Sequence, residues 1–360
     1  MASATVDATP LDVRRGLTSP SGTSHPLRWG ILGAGGISSD WAKALLSVPG
    51  ATLSRVAARS VESATNFAEK HGVAAVSTTY EELVASDDVD IVYVGTITPL
   101  HKEHALLAIK AGKHCLCEKP LAESANDAAE MFAAAEDKGV MLQEGLWTRF
   151  FPAVEHARSA VEAGKIGTVQ MASADFPDRV YAAQVSPLAF GENAKPSRVV
   201  ASCCRDGSGG AVVQYEDQGT TILTFPSWGC EFAEELHLTG TSGRLKLSGY
   251  GHAPTTLTIY TIPPGMPPEP QGHLSTSQNG VQPIVEKHVY PVPQPTGYPA
   301  MGWHYTNQTG FVYQAEAVHR CLAAGLRECP QYTKAESLHV LYIMDRVSAA
   351  DSEGEKGAAL

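Results

Sequence analysis

Leu27-Arg28-Trp29-Gly30-Ile31-Leu32-Gly33-Ala34-Gly35-Gly36-Ile37-Ser38 is the stretch that decides the fold. Leu27 to Leu32 is a short, mostly apolar run, Gly33 to Gly36 break it, and an amphipathic segment carrying Trp41, Leu45 and Leu46 follows. Strand, glycine-rich turn and helix in that order open a dinucleotide-binding unit. A pyrophosphate reaches the main chain only where no side chain intervenes, and the N–H groups that open the helix then face its charge. Gly33, Gly35, Gly36 and Ile37 are therefore the candidate phosphate contacts. The third fingerprint position is Ser38 rather than glycine, and serine is small enough to pass. Ala51 to Ala58 has the composition of a buried strand and arrives where a right-handed crossover delivers it.

At the end of that second strand, an NAD enzyme usually presents a carboxylate to the ribose hydroxyls; this chain presents Arg59-Ser60. A guanidinium makes charge-assisted, bidentate bonds to phosphate, so Arg59 with the Ser60 hydroxyl suits the 2'-phosphate of NADP. Glu62 lies close by and opposes that charge.

At 360 residues the chain is long enough for two domains, and 43% hydrophobic with 18% charged residues is ordinary for a globular enzyme. A formal net charge of -11 argues against a nucleic-acid partner, because a phosphate backbone needs a basic face. No apolar stretch reaches membrane-spanning length. Seven cysteines without a framework spacing fit a reducing compartment, and the cytoplasm is the expected location. His101, His104, His114, Cys115 and Cys117 offer no closed ligand spacing, so no metal is expected. Cys203 and Cys204 read as buried thiols rather than a redox pair.

Beyond the first unit, helices are expected over Ser63–Lys70, Tyr80–Val84 and His101–Ala111, with strands over Val89–Gly95 and His114–Cys117. This alternation predicts a doubly wound parallel sheet, and ligands in such sheets bind beyond the carboxyl ends of the strands, where Thr96 and Glu118-Lys119-Pro120 fall. After Glu144 the pattern changes. Val169–Phe176, Ala211–Tyr215, Gly219–Phe225, Glu235–Thr239 and Gly243–Leu247 alternate like strands of an open, mainly antiparallel sheet. Proline crowds residues 262–300, which read as a long irregular excursion, and Phe311–Leu322 and Lys334–Ala349 read as closing helices. The expected organisation is an α/β Rossmann domain over 27–146 and an α+β domain over 147–349. Residues 1–26 read as a disordered tail and 350–360 as a second tail.

The motifs Gly33-Ala34-Gly35-Gly36-Ile37-Ser38, Gly95-Thr96, His101, Ala111-Gly112-Lys113-His114, Glu118-Lys119-Pro120, Glu144 to Pro152 and Gly240-Thr241-Ser242-Gly243 together resemble the glucose-fructose oxidoreductase and inositol dehydrogenase family. The run Trp147-Thr148-Arg149-Phe150-Phe151-Pro152 is similar to the branch of dimeric dihydrodiol dehydrogenase and NADP-dependent D-xylose 1-dehydrogenase. The resemblance implies a sheet domain that covers the nicotinamide and mediates a homodimer, and hydride transfer from a carbinol carbon of a sugar or cyclic diol. By the same resemblance Thr96 and His101 belong to the coenzyme site, Glu118 orients it, Lys119 hydrogen-bonds the reacting hydroxyl and Tyr181 takes its proton. Trp147, Arg149 and Phe150 are expected to meet the substrate, while Trp147, Phe150 and Phe151 could equally be core at the domain junction.

One segment departs from the family. Relatives carry a connection ending in Gly-Gly and Leu-Leu-Asp-Ile-Gly before the tyrosine, whereas here Asp178-Arg179 runs directly into Val180-Tyr181. The missing aspartate leaves two expectations: an NADP-dependent dehydrogenase of D-xylose, similar aldoses or trans-dihydrodiols, or a catalytically impaired NADP-binding protein with a regulatory or assembly role. Loss through splicing or a faulty gene model is the expected origin of the gap.

Overall fold

The structure, a computed structural model, describes residues 26–204, 206–216, 218–263, 282–292 and 307–357, with side chains through 349. The chain divides into two compact units, Met1–Phe150 with Val292–Leu338, and Phe151–Pro291 with His339–Leu360.

The first unit is built on a parallel sheet of β1 (Leu27–Leu32), β2 (Ala51–Ala57), β3 (Ala75–Val76), β4 (Ile91–Val94), β5 (His114–Glu118) and β6 (Leu142–Gly145), in the order β3-β2-β1-β4-β5-β6. The strand order reverses between β1 and β4, which is where an open α/β sheet binds its ligand. Strands β4 and β6 are buried at every position, as a sheet covered on both faces requires. Ser60, Thr79 and Ser124 cap the helices Val61–His71, Tyr80–Ala85 and Ala125–Lys138 by accepting from backbone N–H groups of their first turns.

Aromatic rings hold the helix Phe311–Ala323 to this unit. Trp41 stacks on Tyr93 with centroids 5.0 Å apart, and Trp29 and Phe311 meet Trp41 edge-on at 5.5 and 5.6 Å. Trp29 Nε1 donates to His319 Nε2 at 3.1 Å. Burying each such ring contributes about 4–6 kcal/mol of gross transfer energy. That is how a segment 290 positions downstream of Trp29 joins the coenzyme unit.

The second unit carries a mixed sheet of β7 (Val169–Asp175), β8 (Pro196–Cys203), β9 (Gly209–Tyr215), β10 (Gly219–Phe225), β11 (Leu236–Gly240), β12 (Gly243–Ser248), β13 (Thr256–Thr261) and β14 (Ile284–Val289). Its order is β14-β13-β12-β11-β7-β10-β9-β8; β7 and β10 run parallel, and the other neighbours are antiparallel. The Thr241-Ser242 turn joins β11 to β12, and a Cβ at Gly240 would stand 2.2 Å from the Ile166 carbonyl oxygen, so the backbone passes too closely for any side chain. Helices Arg179–Ala183 and Val185–Phe190 pack on β7 and β10.

Three sequence expectations are corrected. The proline-rich stretch 262–300 is not irregular throughout: Ile284–Val289 forms β14, paired along its whole length with β13 as an edge strand. Its remainder at 264–281 and 293–306 lies outside the described residues, as do 1–25 of the expected N-terminal tail and 358–360 of the C-terminal one. The last helix does not stop at Ala349 but runs Lys334–Gly357, since no proline or glycine interrupts it before Gly354. Cys203 is half-buried and Cys204 exposed, because they close the edge strand β8 rather than enter the core.

Candidate active site

Strand β1 delivers the chain to Gly33, whose φ of +94° a side chain would strain and whose added Cβ would stand 3.0 Å from the Gly95 carbonyl oxygen. Gly35 caps helix Gly36–Leu45 in extended conformation, and a Cβ on it would meet no protein atom within 4 Å. The protein's own packing therefore does not require glycine at 35. Ile37 is half-buried in the first helical turn. Ser38 explains its own presence: its Oγ would stand 2.1 Å from a Cβ on Gly95, so small residues on both sides bring this helix against the end of β4.

The helix N-terminus opens into a cavity of about 400 Å³ lined by Gly35, Gly36, Ser39, Ser60, Ser63 and Lys70, among others. The Ser60 Oγ accepts from Ser63 N at 3.2 Å, which leaves its O–H free to donate outward. Arg59 is exposed at the end of β2 and does not line the cavity; its charge reaches Tyr80. Glu62 does line it, as its proximity in sequence led one to expect. Sequence reasoning missed Lys70. Its spacing from Ser63, seven residues along one helix face, was the available signal. His71 sits at the foot of the cavity with Nε2 2.9 Å from Ser39 Oγ, and burial, with Lys70 and Lys43 nearby, holds its pKa down at about 4.

Thr96, His101, Glu118 and Lys119 are brought together at the carboxyl ends of β4 and β5. Glu118 Oε1 accepts from the Tyr93 hydroxyl at 2.6 Å, and its other oxygen accepts from Lys119 N at 3.3 Å. The buried His101 ring spans the two loops, with Nδ1 2.8 Å from the Pro120 carbonyl oxygen and Nε2 3.1 Å from that of Thr96. Burial lowers its pKa, so the neutral ring donates to one carbonyl only. Thr96 Oγ1 meets His104 Nδ1 at 3.0 Å. Leu121 N donates to Glu144 Oε1 at 3.0 Å. The half-buried Lys119 thus projects from a segment fixed on three sides.

Trp147, Arg149 and Phe150 are core of the first unit. Arg149 is fully buried and pairs with Glu336 at 2.6 Å, with its guanidinium over the Tyr332 ring; Trp147 lies 4.5 Å from Phe311, centroid to centroid. For Trp147 and Phe150 the structure favours packing, and the expectation that Arg149 meets the substrate is corrected: its guanidinium is buried, and it is retained there because the Glu336 carboxylate compensates it.

Tyr181 belongs to the second unit, on helix Arg179–Ala183, which Asp178 caps by accepting from Val180 N at 3.0 Å. It is 9% exposed, edge-on to Phe176 at 5.2 Å and 6.3 Å from the His252 ring; Phe176 also meets Phe232 and the exposed Trp228. This aromatic cluster was not foreseen, since its members come from four separate loops and helices. Among the described residues no helix is long and apolar enough to cross a membrane.

Comparison with known proteins agrees with this architecture. Residues 27–146 match the model of the oxidoreductase family with an NAD-binding Rossmann fold. Trans-1,2-dihydrobenzene-1,2-diol dehydrogenase from Bos taurus is 32% identical over 90% of this chain and 96% of its own length; the Danio rerio enzyme of that name is 32% identical over 89% and 95%. Among solved structures, a 3-ketoreductase from Actinomadura kijaniata in complex with NADP aligns with TM-score 0.69 at 24% identity, and a levoglucosan dehydrogenase in complex with NADH and levoglucosan with TM-score 0.73 at 17%, each covering 91% of this chain and 98% of its own; at that identity they speak to the fold alone. With a Rossmann unit, a second, mostly antiparallel sheet and relatives at this identity across nearly its whole length, the chain belongs to the glucose-fructose oxidoreductase and inositol dehydrogenase family of oxidoreductases.

Proposed function

We propose that this protein is an NADP-dependent dehydrogenase that oxidises a CH–OH carbon of a small cyclic polyol. The named activity of its vertebrate relatives puts a trans-dihydrodiol first among substrates, with the C1 hydroxyl of D-xylose or a similar aldose, oxidised to the lactone, beside it. The observation that carries the reading is Lys119, half-buried and held at the end of β5, two strands from the glycine turn that ends β1. Gly33, Gly35, Gly36 and Ile37 would hold the pyrophosphate, and Ser60, Arg59 and Lys70 the ribose phosphate. Oxidised NADP, when bound, supplies the hydride acceptor. Lys119 would donate a hydrogen bond to the reacting hydroxyl and stabilise its developing alkoxide, and Tyr181 would accept the proton.

A homodimer and a cytoplasmic location complete the proposal. For the dimer the support is an open apolar row on the second unit's sheet: Val200 pairs with Val212 and Val212 with Ile222, side by side on three strands and all exposed. A second reading, an NADP-binding protein without turnover, is favoured by the Tyr181 environment, where Asp178 is engaged as a helix cap and the tyrosine lies largely under Phe176 and His252. Absorbance in the NADPH band after mixing protein, NADP and a trans-dihydrodiol or xylose tests the first reading, beside a thermal shift with NADP alone. Growing absorbance supports the dehydrogenase, a shift without absorbance selects the silent protein, and neither signal contradicts both.

A further inference from the structure

A buried carboxylate that the proposed reaction does not use lies beneath the lysine segment. Glu144, on β6 and 1% exposed, is register-paired with Cys117 one position before Glu118 on β5. Its Oε1 accepts from Leu121 N at 3.0 Å, two residues beyond Lys119, and its Oε2 accepts from the Ser337 hydroxyl in the first turn of helix Lys334–Gly357. Its main-chain carbonyl accepts from Gln314 Nε2 at 2.8 Å, which anchors the strand end itself. One side chain therefore ties the backbone of the lysine segment to the C-terminal part of the same unit.

We propose that Glu144 is a positioning residue for Lys119, holding the Lys119–Leu121 segment in place through a carboxylate whose protonation the lysine senses. This rests on the reading of Lys119 as the partner of the reacting hydroxyl. The surroundings make the protonation responsive. Glu118 and the Cys117 thiol face Glu144 from β5, and Tyr332 and Ser337 face it from the C-terminal segment, with the Arg149–Glu336 pair beyond Tyr332. Burial raises the Glu144 pKa to about 7, Glu118 adds to that, and the hydrogen bonds from Ser337 and Leu121 pull against it. Ionised, the carboxylate accepts on both oxygens; protonated on Oε2, it donates to the Ser337 oxygen while Oε1 still accepts from Leu121 N, so the proton reverses one of its two attachments and removes the charge from beneath the lysine segment.

The test uses the full chain with its lysines reductively ¹³C-dimethylated, following by NMR the Lys119 resonance assigned by its loss in Lys119→Arg. The wild-type resonance is expected to show an inflection near pH 7. Glu144→Gln removes that inflection, and Ser337→Ala moves it to higher pH, because the Ser337 hydroxyl donates to the charged form and favours it. A Lys119 resonance without an inflection near neutrality, or one unmoved by both substitutions, overturns the proposal. Should Glu144→Gln fail to fold, Ser337→Ala decides alone. None of these readings needs turnover, so an inactive protein with the inflection intact counts against the proposed dehydrogenase and not against this role for Glu144.

Discussion

The segment around Lys119 and the segment around Tyr181 carry the two residues proposed to handle the reacting hydroxyl, and they sit in different surroundings. Lys119 follows a parallel strand buried on both sides, and Tyr93, His101 and Glu144 each fix a different residue of its loop through a directed hydrogen bond. Tyr181 rides on a five-residue helix, capped by Asp178, with its ring edge-on to Phe176 at 5.2 Å and beside His252. The contrast teaches that the lysine is placed by a strand end and the backbone groups that follow it, while the tyrosine is placed by a short capped helix set into an aromatic cluster.

The sharpest way to break this comparison is substitution at its two centres. Lys119→Met is expected to lower kcat/KM by about 10²–10³-fold, the cost of removing one donor to a developing oxyanion, with NADP affinity unchanged. Tyr181→Phe should cost a similar factor in steady-state assays; a change of less than twofold would remove the tyrosine from the mechanism and leave Lys119 as the only residue of the two with a chemical role. Next in size is the frame behind the lysine. Glu336→Ala leaves the Arg149 guanidinium buried beside Tyr332 without its carboxylate, and a destabilisation of about 3–5 kcal/mol is expected in denaturant unfolding. Loss of less than about 1 kcal/mol would show that Arg149 is not buried as described.

Two glycines separate packing from ligand approach. Gly95→Ala drives a Cβ into Ser38 Oγ and the Tyr93 ring, and overpacking of this kind costs about 1–3 kcal/mol. Gly35→Val is expected to leave the melting temperature of the free protein within a degree or two, since a Cβ there meets nothing, yet to weaken NADP binding. The smallest effect is on the second unit's open sheet, where Ile222→Lys should shift a homodimer toward monomer in analytical ultracentrifugation without altering the melting of either unit. His71 adds a pH dependence in the coenzyme unit. Its folded pKa of about 4 lies below the ordinary value of 6.5, so its contribution to stability is present above pH 6.5 and is lost as pH falls toward 4; His71→Gln should flatten that part of the stability curve.

Much of the first unit could be read from local residues. The glycine turn, the strand Ala51–Ala57 and the capped helices each carry their own signal within a dozen positions. Strand β8 could not be read so, because an edge strand that begins Pro196-Ser197-Arg198 and is exposed at alternate residues lacks an apolar signature. Strand β14 was masked by the prolines on both sides of it. The residues around Lys119 fell in place with their neighbours, but what fixes them did not: the partners of Glu144 and Arg149 are Ser337 and Glu336, nearly two hundred positions away, and distance along the chain hides such pairs. Lys70 was legible only in hindsight, once Ser63 was known to face the cavity.

Calorimetric titration of the full chain with NADP and with NAD tests most directly the claim on which the rest depends, that the amides after Gly33 and the cations Arg59 and Lys70 hold a phosphorylated dinucleotide. NADP is expected to bind with measurable heat and tighter than NAD, by about 1.5–3 kcal/mol for a charge-assisted contact, and Arg59→Ala is expected to erase most of that difference. Absence of heat with NADP, or equal affinity for the two coenzymes, would contradict the account.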